Sequence, residues 1–164
     1  MTARTLQDPA ERYLDGFALG DVIVTRGRTI EASDIVTFAG LTGDFYPLHV
    51  DEEYSKNTRF GTRIAHGPFT FAVAVGLVGM TGYYGNAIIA LLETKSIRAL
   101  GPVVSGDTIR AQAEVIACEA PEDSRHGSLS VAYSVLNQRD EEVMTFVQVM
   151  LARRRPEPEG NDDG

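Results

Sequence analysis

Asp44 and His49 stand five positions apart around Pro47, with Asp51 and His66 close by, so two of the chain's three histidines share one window with two carboxylates. A histidine changes charge near neutral pH, and a carboxylate can orient a water or take its proton, which together make general acid–base chemistry possible. Across a proline-bent loop both side chains could face one cavity. On the residues alone a second role stands beside this one: a polar turn in which Asp44 caps backbone N–H groups and His49 is simply packed. His49, His66 and Asp51 are also ligand types for a metal, but no compact ligand motif joins them, and no metal is expected. His126, within Glu122 to Gly127, reads as a turn residue. Cys118, between Ala117 and Glu119 with no basic neighbour, reads as packing and not as a nucleophile.

The elements that must hold these groups can be read from periodicity and punctuation. Asp21 to Ile30 is rich in β-branched residues and reads as a strand. Ser33 is the expected cap of a short helix whose Ile35, Val36, Phe38, Ala39 and Leu41 recur at three- and four-residue spacing, ended by Gly40 and Gly43. Asp44 to Asp51 is a loop, since Pro47 fits neither a helix interior nor a central strand. A small helix over 52–57 follows, and an earlier one is expected near Pro9. Gly67-Pro68 then opens a strongly apolar helix, Pro68 to Met80, whose Ala72, Ala74, Gly76 and Gly79 let a sheet pack closely. Four extended runs complete the chain: 87–100, 107–118, 127–136 and 142–153, separated by turn formers such as Gly101-Pro102 and Ser105-Gly106-Asp107. Consecutive strands are expected to pair antiparallel. The order is α+β, one hydrophobic helix against one curved antiparallel sheet of about five strands.

At 164 residues, 43% hydrophobic and 23% charged, the chain suits one globular domain with its own core. A single cysteine excludes a disulfide scaffold and points to a reducing compartment, and the N-terminus carries no secretory pattern, so a cytoplasmic location is expected. The longest apolar run, 69–80, is too short to cross a bilayer. A net charge of −8 argues against nucleic acid as partner. Residues 156–164 are polar, acidic and Pro/Gly-rich, the composition of a disordered tail.

The stretch Thr42-Gly43-Asp44-Phe45-Tyr46-Pro47-Leu48-His49-Val50-Asp51 resembles the hydratase motif of the MaoC-like dehydratases and R-specific enoyl-CoA hydratases. Phe60 to Pro68 is similar to that family's segment leading into its central helix, and Gly101 to Ile109 to its strand-turn-strand. The resemblance implies a hot-dog fold over residues 16–153, between an N-terminal extension (1–15) and the acidic tail (154–164). It implies two protomers, or a higher oligomer of dimers, joining sheets side by side. It further implies water addition to a trans-2-enoyl-CoA, or the reverse dehydration of a (R)-3-hydroxyacyl-CoA. There Asp44 and His49 would activate the water and the Gly67 N–H would hold the thioester oxygen, as suits an enolate-like transition state at a helix N-terminus.

Tyr46, Pro47, His66 and Phe69 are the further expected substrate contacts, and no cofactor is expected, coenzyme A being part of the substrate. Tyr46 stands where many family members carry Asn; packed in the pocket, it would favour a short or branched acyl group. Arg59, Arg63, Lys95 and Arg98 are candidates for coenzyme A phosphates. Two other functions fit the same scaffold: thioester hydrolysis, and a non-catalytic acyl-CoA-binding subunit of a mixed assembly.

Overall fold

A computed structural model describes residues 11–156. The helix expected near Pro9 and most of the acidic tail lie outside the described residues. A 3-10 turn at Leu14–Gly16 leads into β1 (Val22–Val24) and β2 (Arg28–Thr29). Four helices follow, α1 (Ala32–Thr42), α2 (Pro47–Val50), α3 (Glu52–Lys56) and α4 (Gly67–Gly79), and then four long strands, β3 (Ile88–Ala99), β4 (Thr108–Glu119), β5 (His126–Leu136) and β6 (Glu142–Arg153). No helix among the described residues is long and apolar enough to cross a membrane.

All strand pairs are antiparallel, in the order β1-β4-β5-β6-β3, with β2 also on β4. Side chains alternate across each strand, so one face carries the core: Ile109, Ala111, Ala113 and Val115 of β4, Leu129, Val131, Tyr133 and Val135 of β5, and Met144, Phe146 and Met150 of β6. Against this face α4 buries Phe69, Thr70, Val73, Ala74 and Val78. Register shifts interrupt the β3/β6, β4/β5 and β5/β6 ladders, and such bulges bend a sheet around what it covers. This is the hot-dog arrangement expected from the sequence.

Four expectations need correction. The loop read over 44–51 contains the one-turn helix α2, because Pro47 stands at its first helical position and not in its interior. The strand read over 21–30 is two short strands, because Thr25 folds back and accepts the Ala111 N–H on its hydroxyl (2.9 Å) between them. Consecutive strands do not all pair: β3 lies on β6 and not on β4. Ser33 is not the cap of α1. Glu31 is, in a capping box with Asp34, whose carboxylate accepts the Glu31 N–H (2.9 Å).

Candidate active site

Gly43 ends α1 in the left-handed conformation (φ 78°), which costs a glycine nothing, and turns the chain into the loop bearing Asp44. The Asp44 N–H donates to Thr42 Oγ1 (3.3 Å), its Oδ1 accepts the Tyr46 N–H (3.2 Å), and its carbonyl accepts from His66 Nε2 (2.9 Å). The carboxylate remains half exposed, its Oδ2 4.0 Å from His66 Nε2. Pro47 opens α2 at its first helical position, where its missing N–H is no loss. One turn of helix then carries His49, half-buried, whose Nδ1 bonds the Ile64 carbonyl (2.7 Å). A carbonyl only accepts, so Nδ1 holds the hydrogen and Nε2 is the ring's free acceptor.

The segment before α4 joins this loop to the sheet. Ile64 donates its N–H to Leu48 (3.2 Å), Ala65 donates to Val103 (2.7 Å), and Ile64 bridges Val104. His66 is the N-cap of α4, buried, with its ring stacked on His49 at 3.7 Å and tilted by 27°. Beside it opens a cavity of about 410 Å³, lined by His49, Gly67 and Thr70, by the apolar Ile64, Val103 and Met144, and by Arg59 and Phe60. Gly67 is exposed and is the first residue of α4, where backbone N–H groups lack intrahelical partners and the helix dipole favours negative charge. An imidazole acceptor and a helix N-terminus thus meet at one apolar-walled cavity, and the Asp44 carboxylate, which is not part of its lining, stands within 4.8 Å of the two imidazoles. Such a set can hold a water, move a proton and stabilise an oxyanion.

The other expected residues fall differently. Phe69 is buried against Phe38 (5.5 Å between rings) and does not line the cavity. Tyr46 also stays outside it, exposed, with its hydroxyl 3.3 Å from that of Tyr54, so the acyl-size argument built on a buried Tyr46 loses its premise. Pro47 serves the start of α2, and Asp51 caps α3 by accepting the Tyr54 N–H (3.0 Å).

Asp44, His49 and His66, not Asp51, each bring a potential ligand atom within 4.8 Å of the others. A metal lies in the plane of the imidazole that binds it, and the two rings are stacked, so both would have to turn to share one ion. Arg63 is taken by Glu52 (3.0 Å), whose carboxyl it holds below its ordinary range, and Lys95 by Glu93 (3.2 Å). Arg98 lines a separate groove with Gln112 and Glu114. Sequence reasoning missed the Ile64 carbonyl, Thr70, Phe38 and Met144, which no local spacing could have linked to His49.

Comparison with known proteins agrees with this architecture. The MaoC like domain matches residues 17–135. The Bacillus subtilis protein YdeM is 33% identical over 141 residues, covering 86% of this chain and 99% of its own. A Rhodospirillum rubrum protein named (R)-specific enoyl-CoA hydratase is 40% identical over 88 residues, 54% of this chain and 59% of its own. The chain spans only 30% of the protein MaoC of Klebsiella aerogenes, to which it is 35% identical over 104 residues. Among solved structures, an Archaeoglobus protein described as a monoamine oxidase regulatory protein superposes with a TM-score of 0.86 at 36% identity, covering 92% of this chain and 100% of its own. A Mycobacterium tuberculosis protein described as a double hotdog fold superposes at a TM-score of 0.78 and 19% identity, over 92% of this chain and 46% of its own. The domain match and the YdeM likeness fall on the hot-dog scaffold that carries the Asp44 loop and α4, and the chain belongs to the MaoC-like domain family.

Proposed function

We propose that the chain reversibly adds water to a trans-2-enoyl-CoA to give a (R)-3-hydroxyacyl-CoA, as a homodimer and with no cofactor beyond the substrate's own coenzyme A. The observation that carries this reading is the pair of bonds, His49 to Ile64 and His66 to Asp44, that holds an imidazole acceptor and a carboxylate beside a cavity containing Gly67. A water held between them donates one hydrogen to His49 Nε2 and the other to Asp44. Asp44 takes a proton as the water oxygen bonds the β-carbon, and the double-bond electrons move to the thioester oxygen, where the Gly67 N–H stabilises them. As that charge returns to the α-carbon, Asp44 hands it the proton taken from the water and becomes a carboxylate again, so the product gains one water and the protein no net proton. The relative named as an enoyl-CoA hydratase supports the substrate class.

The test mixes purified protein with crotonyl-CoA and branched enoyl-CoAs, following the conjugated thioester absorbance and free thiol together. Absorbance loss without thiol release is expected. Thiol release would make the protein a thioesterase, and binding without either change would make it a non-catalytic subunit. Asp44→Asn and His49→Ala should each lose about 10²–10⁴-fold in kcat with little change in Tm, since neither side chain is buried. Full activity in both variants rules the mechanism out.

A further inference from the structure

Among the described residues, one buried side-chain polar atom has no hydrogen-bond partner: His66 Nδ1. We infer that His66 is a positioning residue, which holds both Asp44 and His49 in place, and that its stranded nitrogen is the cost of that task. The inference rests on the hydratase reading for its kinetic readout.

His66 is 1% exposed, and its Nε2 lies 2.9 Å from the Asp44 carbonyl oxygen. The carbonyl can only accept, so Nε2 carries the hydrogen and Nδ1 is left as a bare lone pair in the interior. Leucine or methionine would fill a similar volume and strand nothing, so stability alone does not favour an imidazole here. Two contacts use what the imidazole supplies and an aliphatic side chain does not. First, its N–H reaches across 22 positions and ties the Asp44 backbone to the start of α4. The Asp44 side chain is 53% exposed, so packing does not hold it and its place depends on the backbone. Second, the flat face of the His66 ring lies on His49 (3.7 Å), while Phe38 packs against His66 itself (5.1 Å). The bond to Ile64 anchors one edge of the His49 ring, and the stack sets its tilt. One interior side chain therefore fixes both members of the proposed pair without lining the cavity.

The experiment compares His66→Leu with His66→Gln, whose amide nitrogen stands near the place of Nε2 and can donate the same bond. His66→Leu should lose about 30- to 100-fold in kcat, with KM within about 3-fold of wild type and Tm unchanged or higher, because displaced groups slow chemistry more than binding. His66→Gln should recover about 10-fold or more of that loss. Wild-type kcat in His66→Leu overturns the inference. So does an equal loss in both variants that follows a fall in Tm. If wild type turns over no enoyl thioester, the hydratase reading itself fails. The ¹⁵N imidazole spectrum then decides the tether: an Nε2–H tautomer of His66 coupled to the Asp44 carbonyl upholds it, and an Nδ1–H tautomer overturns it.

Discussion

Arg59 differs from the other candidate cations in what surrounds it. Arg63 and Lys95 already have carboxylate partners, and Arg98 lines another face, whereas Arg59 is exposed, lies over the Phe60 ring (4.7 Å) and lines the cavity that His49 faces. A guanidinium stacked on an aromatic ring is restrained in orientation yet keeps its in-plane N–H groups free for phosphate oxygens. If the phosphates of coenzyme A sit there, Arg59→Gln should raise KM for a CoA thioester by about 5- to 10-fold, the worth of one charge-assisted contact, and leave kcat alone, because the contact is equal in ground and transition states. The KM should also become less sensitive to salt. A pantetheine thioester with the same acyl group has no phosphates, and its KM should be the same for wild type and variant; an equal rise for both substrates would show that Arg59 shapes the acyl end instead. Arg59 itself was visible in the sequence as one of four equivalent cations. Only the places of its rivals single it out: Arg63 meets Glu52, Lys95 meets Glu93, and Arg98 faces a separate groove.

The β4–β5 turn shows how closely neighbouring elements pack. A Cβ placed on Gly127 would collide with the Glu119 carbonyl oxygen and the Leu14 side chain, so the second residue of β5 fits only as glycine. Gly127→Ala should lower stability by about 1–3 kcal/mol, the usual cost of overpacking, seen as a lower urea midpoint with an unchanged m-value. An unchanged midpoint would mean that the Leu14 side chain and the backbone at Glu119 and Ala120 both move aside. In the sequence Gly127 stood only as the junction of a turn and the run 127–136, with no sign of its crowding, because its neighbour Leu14 is brought in from far along the chain. The same distinction separates what was legible from what was not. The long strands and α4 announce themselves because alternation and an unbroken apolar run are local signals. Glu31 took the cap from Ser33 because the reciprocal bond with Asp34 satisfies two N–H groups, which a Ser33 cap does not match. The partner of β3 was illegible, since nothing local distinguishes β4 from β6 as its neighbour. The site divides in the same way: Asp44, His49 and Gly67 carry the motif, while the bond from His66 to the Asp44 carbonyl uses a backbone atom that every residue possesses.

The strand order leaves β3 at the end of the sheet, bonded to β6 on one side only. An edge strand of that length offers its unpaired N–H and C=O groups to another chain, and proteins usually guard such edges with charge. Here the edge instead exposes Ile89 (41%), Leu91 (53%), Leu92 (56%) and Ile97 (53%), with Glu93 and Lys95 between them. A second copy laid antiparallel along β3 would continue the sheet, cover these side chains and close the row of backbone groups, which is the contact the proposed homodimer would use. The end of β3 also borders the cavity through Ala99, and Leu100 follows directly, so a partner on this edge stands next to the proposed site. Sedimentation at micromolar protein should therefore give twice the chain mass. Leu91→Lys with Ile97→Lys should shift the chain toward monomer, because each lysine would have to be desolvated to re-form the contact. A wild-type monomer at every concentration would remove the dimer, and a double variant that stays dimeric would move the interface away from β3. If the variant is monomeric, its activity separates two roles for the edge: kcat retained with KM raised means the partner only walls the acyl pocket, whereas kcat lost with the fold intact means the second copy holds the Asp44 and His49 geometry.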